Sequence, residues 1–437
     1  MPVVQSRLPV RLFATLVFFS VLAGQFWRNL LGWWGFGAIA LIIVAGSIWF
    51  LVSMKPAWTW RTFPKSLAAF MVLATLSVAW SAYPGASALG ITLQWITTLA
   101  ALFLAFCLSW TELVRTLAVA LRLILGLSVL FEAVVAVIIG HAVLPFWVEY
   151  TGKIPAAFYW SRGLLLEGGP VEGIVASRNL LGFLALLALI VFAVQLAAGT
   201  VTRGAGTFWV ALAVGMLWLT RSATVTVALA AVVLALLFAL WARRVPPLGR
   251  RGLYLTAGLG AAAVVTGAVA FSSTLLGLLG KSEDLTGRFD IWNRVIDLAG
   301  QRPVQGWGWV SYWAPWVEPF DGLAVRKGVQ YLQAHNAWLD VWLQLGILGL
   351  IVFGALAAST LWRSWFLAVD RPRLGIADTS PYSVAALLPL LLLVALLAQS
   401  LAESRLLVES GWVLLLVLAV KTKRPSAAEE LLGVGRR

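Results

Sequence analysis

The chain has 437 residues, 61% of them hydrophobic and only 11% charged, with a formal net charge of +14. That apolar excess lies far from a soluble globular average and leaves no polar stretch for a separate soluble domain, so 1–437 reads as a single transmembrane domain. The basic surplus is spread along the chain between apolar runs, which argues against a nucleic-acid partner. A membrane-crossing helix needs ~20 apolar residues to span ~30 Å of hydrocarbon. In chain order the apolar runs are 12–26, 32–53, 66–80, 89–110, 116–139, 179–198, 208–220, 223–241, 253–271, 338–362, 383–401 and 405–420. They predict an all-α polytopic membrane protein of about twelve spans, the shorter runs extending into their flanks.

Charge placement orients these spans. Alternate connections, counted from the N-terminus, hold Arg7, Arg11, Lys55, Arg61, Lys65, Arg115, Arg203, Arg243, Arg244, Arg250, Arg251, Arg363, Arg371 and Arg373, and the C-terminal tail adds Lys421, Lys423, Arg424, Arg436 and Arg437. The opposite connections carry fewer, most of them in two long loops where the positive-inside rule counts least. Both termini are therefore expected in the cytoplasm, in a multi-pass protein of the cytoplasmic (inner) membrane with membrane lipids around it. Arg7, Arg11 and the run ending at Val21-Leu22-Ala23 resemble a secretory signal peptide; we read the segment as a retained first span. The single Cys107 falls within a span, which leaves neither a disulfide nor a thiolate metal cluster.

Two connections are long, 140–178 and 272–337, and both fall on the outer side. In the second, Phe289, Trp292, Ile296 and Ala299 recur at helical spacing, with Asp290 and Arg294 as an i,i+4 pair off that stripe. This predicts an amphipathic helix lying along the membrane interface or capping the bundle. Pro303 and Gly306-Trp307-Gly308-Trp309 end it, and Trp313, Trp316, Phe320 and Tyr331 follow. These aromatics suit interfacial anchoring, or flat platforms for sugar rings. His335 closes the loop just before a span, where the helix dipole favours a neutral imidazole able to accept a hydroxyl proton; a satisfied interfacial histidine is the alternative. Asn336, Asp340 and Gln344 share one face of that span, which should look into the protein to line a site or join helices.

Arg162, Arg178, Arg221, Arg288 and Arg405 lie on the same outer side. As a set they suit a diphosphate; one by one they suit lipid headgroups or pairing with Glu172, Glu403 or Glu409. Glu132, inside a span, is a functional candidate by position, with Arg221 as its nearest suggestion for a partner. No Walker loop, His-Glu-x-x-His or Asp-x-Asp pair accompanies the outer loops, which weakens a nucleotide-driven transporter, a zinc protease and a metal-dependent sugar transferase.

Three stretches resemble the O-antigen ligase and polymerase family of bacterial membrane glycosyltransferases. The first runs from Thr286-Gly287-Arg288-Phe289-Asp290-Ile291-Trp292 through Pro303-Val304-Gln305-Gly306-Trp307-Gly308 to His335-Asn336-Ala337-Trp338-Leu339 and Leu345-Gly346. The others are Gly173–Leu181 and Leu219-Thr220-Arg221-Ser222-Ala223; in the latter the family places Arg after the Ser, whereas here Arg221 precedes Ser222. That shift turns a helical side chain by roughly 100°. The resemblance implies a C-type glycosyltransferase architecture and a metal-independent, inverting transfer without a cofactor. The glycan comes from an undecaprenyl-diphosphate donor and goes to a glycan, lipid or protein acceptor on the outer face. It implies His335 as the essential histidine, with Arg288 and Arg221 on the diphosphate. By their placement on the outer side Arg178 and Arg162 are further donor-binding candidates, and Trp292, Asn336 and Asp340 are supporting ones. Ligation and polymerisation share these motifs. A polysaccharide or lipid-linked-sugar transporter is the competing class, for which internal repeats and helices broken at mid-membrane would be expected.

Overall fold

In a computed structural model, residues 7–148, 150, 154–270, 283–326, 329–371, 381–424 and 430 are described. The first part of the second long loop and the basic residues Arg373, Arg436 and Arg437 lie outside them. The protein is an all-α polytopic membrane protein. Its helices are α1 (Leu8–Leu22), α2 (Gly24–Met54), α3 (Lys65–Leu76), α4 (Pro84–Cys107), α5 (Trp110–Ala133), α6 (Arg178–Ala197) and α7 (Arg203–Thr220). They continue with α8 (Ala223–Arg244), α9 (Arg250–Ala270), α10 (Glu283–Gln301), α11 (Ala337–Val369), α12 (Leu388–Ser400) and α13 (Glu409–Lys421). A two-stranded antiparallel ribbon, β1 (Val325–Arg326) and β2 (Val329–Gln330), lies in the second loop. Each apolar run overlaps a helix, the first of them straddling the break between α1 and α2, and α10 is the helix expected in the loop. Among the described residues six helices are long and apolar enough to cross a membrane: α2, α4, α5 with its extension to Ile139, α6, α8 and α11. The apolar helices at 8–22, 65–80 and 385–400 are shorter.

Burial is arranged for a lipid solvent. Large apolar side chains such as Trp34, Leu41, Ile138, Trp218 and Leu234 face outward, while Gln94, Thr98, Ser128 and Glu132 are buried. An unpartnered polar group facing hydrocarbon costs several kcal/mol, so these groups find partners inside. Trp412 Nε1 donates to Thr98 Oγ1 at 2.9 Å and Gln94 Nε2 to the Leu407 carbonyl at 3.1 Å. Helices α6, α12 and α13 are buried along most of their length and form the centre.

Two helices are broken, which hydropathy alone did not anticipate. Gly346 (φ 64°) interrupts α11 and Gly32 (φ 70°) interrupts α2, each about two turns from the helix start. The Pro303–Gly308 turn repairs the first break: Trp307 N and Gly308 N donate to the Leu343 and Gln344 carbonyls at 3.0 and 2.9 Å. In return Ile347 N donates to the Pro303 carbonyl at 2.9 Å. Turn and helix come so close that a Cβ on Gly346 would stand 2.1 Å from the Val304 carbonyl oxygen, and one on Gly306 2.5 Å from the Gln344 backbone. This contact explains why both positions are glycine. The first loop serves the other break, with Trp147 Nε1 donating to the Arg28 carbonyl at 2.6 Å.

The loop helix carries its apolar stripe one position away from the expected one. Arg288, Ile291, Val295, Leu298 and Ala299 are buried, whereas Phe289 and Ile296 are exposed. A one-residue change of phase rotates the helix by roughly 100°, and the decisive residue is Arg288, whose charge has a buried partner. Arg294 donates to the Leu323 carbonyl at 3.3 Å instead of pairing with Asp290. The aromatics that follow are mostly core. Trp309, Trp313 and Phe320 are buried, the last two stacked at 5.7 Å, while Trp316 is exposed. Buried rings cannot serve as open sugar platforms.

Candidate active site

The connection between α12 and α13 contributes the centre of the site, the buried Glu403. Its Oε2 accepts His335 Nδ1 at 2.9 Å, and its Oε1 accepts Arg288 Nη2 at 3.0 Å. Asn179 Nδ2 and Gln333 Nε2 approach at 3.4 Å each. Asn179 in turn accepts Ser222 Oγ at 2.8 Å. Residues 179, 222, 288, 335 and 403, far apart in the chain, thus form one network. Burial alone raises the Glu403 carboxyl, but His335, then Arg288 and Arg405, outweigh it and hold the group below the usual carboxylate range.

In the tautomer that suits a carboxylate on Nδ1, that nitrogen carries a proton, which leaves Nε2 as the nitrogen able to accept one. Among the described residues no hydrogen bond is made to Nε2. The expectation of a neutral base from the helix dipole left this carboxylate out; Glu403 orients the ring and stabilises positive charge once a proton arrives. The backbone of His335 is left-handed (φ 51°), and the N-cap of α11 is Asn336, whose side chain accepts Trp338 N and Leu339 N. Left-handed non-glycine residues cost ~1–3 kcal/mol and persist where their surroundings over-determine them. Of the six such residues described, Ala176, Arg221, Ser311, His335 and Glu409 lie in the segments around this network.

The other polar residues of α11 hold the loop in place. Asp340 Oδ1 accepts Trp313 Nε1 at 2.7 Å, and Oδ2 accepts Ala334 N at 3.0 Å as well as the Ser404 hydroxyl. Ser404 also accepts Asn336 N at 3.2 Å, so Asp340 fixes the backbone on both sides of His335 and beside Glu403. Gln344 clasps the turn, accepting Val310 N and Ser311 N at 2.8 and 3.0 Å. Trp292 Nε1 donates to the Ala334 carbonyl at 2.9 Å, which ties α10 to the same segment. The face shared by Asn336, Asp340 and Gln344 looks inward, joining segments rather than lining a cavity.

The arginines separate. Arg288 is drawn into the network. Arg162 Nε is paired with Glu172 at 2.6 Å, in a cluster away from Glu403. Burial pushes the Glu172 carboxyl up, against the pull of Arg162. Glu132 belongs to that cluster, and Arg221 is not its partner: it accepts Ser161 Oγ at 2.8 Å, Glu172 N at 3.0 Å and Gly173 N at 2.6 Å. Glu132 therefore clamps the first long loop onto α5. Arg221 is exposed, with a left-handed backbone, and lies against Gly168; its neighbour Ser222 is the member of that segment that reaches the network. Arg178 opens α6 immediately before Asn179. Pairing with carboxylates, one of the two readings of these arginines, thus describes Arg162, Arg288 and Arg405.

Sequence reasoning named Arg405 but missed its neighbour Arg28. Arg405 pairs with Glu409 at 3.1 Å, and its charge is felt by Glu403. Arg28, Arg405 and Glu409 all act on the half-buried phenol of Tyr312, which desolvation and Glu409 push above its ordinary range. Arg28 comes from α2, where only hydropathy was read. The available signal was a lone arginine in a short connection on the side expected to be outer, where positive charge is sparse. Arg28, Arg288 and Arg405 thus stand with Glu403 and Glu409 in one charged cluster.

Residues 206–354 match the family model described as O-Antigen ligase. This match supports membership of the O-antigen ligase and polymerase family, as the motifs suggested. The segment contains Arg221, Arg288 and His335 and stops short of Glu403. The exopolysaccharide production protein ExoQ of Rhizobium meliloti (strain 1021) is 30% identical over 197 residues. That similarity covers 41% of this chain and 43% of the relative, less than half the length of either.

Proposed function

We propose that the protein is a membrane glycosyltransferase of the O-antigen ligase type, moving a glycan from a polyprenyl (undecaprenyl) diphosphate to an acceptor hydroxyl. The observation that carries this reading is the His335–Glu403–Arg288 constellation: a base oriented by a carboxylate, beside a guanidinium whose fork suits phosphate oxygens. In the reaction His335 Nε2 takes the acceptor proton as the hydroxyl oxygen attacks the anomeric carbon. The bond from that carbon to the diphosphate oxygen breaks with inversion, and the diphosphate leaves with the electron pair. Glu403 stabilises the imidazolium, and Arg288 with Arg28 and Arg405 takes up the charge on the leaving group. Arg178 and Arg221, which flank Asn179 and Ser222 of the network, would help to bind the donor. The helices other than α10 cross the cytoplasmic membrane as twelve spans with both termini inside, and the site opens outward.

A second reading, polymerisation, is favoured by the similarity to an exopolysaccharide production protein. Purified protein in lipid nanodiscs, given an undecaprenyl-diphosphate-linked oligosaccharide, separates the two. A ladder of lengths on the lipid means polymerase; product that forms only with a second acceptor means ligase. His335→Ala should lower either activity by roughly 100- to 10,000-fold, the usual contribution of general base catalysis. Near wild-type transfer by that variant would remove the base role. The helix breaks at Gly32 and Gly346 are shared with transporters, but here loop segments seal them. Movement of the lipid-linked sugar across proteoliposomes without a new glycosidic bond would overturn the enzyme reading.

A further inference from the structure

At the opposite end of the bundle from His335, the ends of α8, α11 and α13 and the start of α12 enclose a cleft of about 410 Å³. Three arginines line it, Arg243, Arg363 and Arg371. Two of them lie against one ring: the guanidinium carbons of Arg243 and Arg371 stand 4.9 and 4.7 Å from the centroid of Tyr382. Arg243 is aimed by its bonds to the Ala368 and Ser383 carbonyls, at 2.7 and 3.0 Å. Arg363 is held by the Thr422 and Thr360 hydroxyls at 3.3 and 3.2 Å. None of these partners is an acid. Among the described residues lining the cleft the only carboxylate is Asp370, and Arg250 engages it at 2.5 Å from outside the lining. Among the described residues the cleft therefore gathers more positive than negative charge. Its remaining wall is apolar, with Phe366 and the exposed Trp362 continuing along the outer face of α11.

We propose that this cleft is a binding site for a phosphate group, one carried by an anionic phospholipid headgroup or free in solution. Guanidinium forks match phosphate oxygens in geometry as well as charge. A basic pocket between helices at the membrane boundary is the usual receptor for an anionic headgroup, and the Trp362–Phe366 wall offers a track for an acyl chain. The volume suits a headgroup. The site lies away from the proposed chemistry and would anchor the junction of α8, α11 and α12.

The test uses the full chain in nanodiscs of phosphatidylcholine with or without phosphatidylglycerol, with retained lipid counted by native mass spectrometry and thermal stability followed in parallel. The variants are Arg371→Gln, which removes an exposed guanidinium held by one ring contact, and Arg363→Gln. Wild type should retain phosphatidylglycerol in preference to phosphatidylcholine and gain heat stability from it. Each variant should bind it about tenfold more weakly, the loss of one charged hydrogen bond, with glycan transfer unchanged. In a second arm inorganic phosphate is titrated into the phosphatidylcholine sample. Arginine-dependent stabilisation by phosphate without lipid preference keeps the site and makes its ligand soluble. Equal retention of both lipids together with no arginine-dependent effect of phosphate, or variants indistinguishable from wild type, would overturn the proposal.

Discussion

Glu403→Gln is the most informative single change, because it keeps the shape of the side chain and removes its charge. In the wild-type chain the carboxylate accepts from His335 at 2.9 Å and from Arg288 at 3.0 Å while buried. Once His335 has taken a proton, unit charges 2.9 Å apart at an effective dielectric of ~20 attract by roughly 6 kcal/mol, an upper bound for what the variant loses. A hydrogen bond to a charged group contributes ~1.5–3 kcal/mol, which sets the lower end. A loss of about 3–4 kcal/mol in the transition state lowers the rate roughly 100- to 1,000-fold. The assay is transfer from a purified lipid-linked oligosaccharide in nanodiscs, with size-exclusion profile and melting temperature as controls for folding. Because Glu403 acts through the imidazole, adding Glu403→Gln to His335→Ala should cost little further activity. A well-folded Glu403→Gln protein within a few-fold of wild type would refute the dyad. Fully additive losses would show that Glu403 works through Arg288 or the fold instead.

Other consequences follow from the same contacts. The Glu403 carboxyl is depressed in the folded protein, so its stabilisation is complete above the unfolded value of about 4.3 and is lost as pH falls through the folded value. Melting temperature should therefore hold down to about pH 5 and drop below it, a drop that Glu403→Gln reduces; an acid limb unchanged in the variant would contradict this origin. Gly346→Ala should destabilise by about 2–4 kcal/mol or prevent folding, since it adds overpacking to a left-handed cost; the readout is melting temperature, and wild-type stability would mean the turn does not seal the helix break. Trp313→Ala should cost about 3–5 kcal/mol, whereas the exposed Trp316→Ala should stay within about 0.5 kcal/mol. Equal melting temperatures for the two variants would show that the loop lacks the packed core described. Glu132→Gln should loosen the first long loop, seen as faster amide exchange at Glu172 and Gly173, and unchanged protection there would remove the clamp.

Much of the architecture is local and so was legible in the chain. Apolar runs long enough to be helices, and the glycines, proline and polar breaks between them, are properties of neighbouring residues; each expected run overlaps a helix. The loop helix, and the motifs that hold Arg288 and His335, were readable for the same reason, since motif spacing is itself local. What distance in the chain hides is different. The phase of α10 depends on a carboxylate 115 positions away, so hydrophobicity favoured Phe289 where the structure buries Arg288. Glu403 lay among plausible arginine partners, yet nothing near it showed that it also holds His335, 68 residues apart. Asp340 and Gln344 were legible as an inward-facing stripe, but only the fold shows that they hold the loop backbone. The sequence by itself determined that the chain is a helical membrane protein and where its informative residues lie. The tertiary structure decided which of them meet, because in a low-dielectric interior each buried charge must find a partner, and that partner comes from wherever the bundle brings one near.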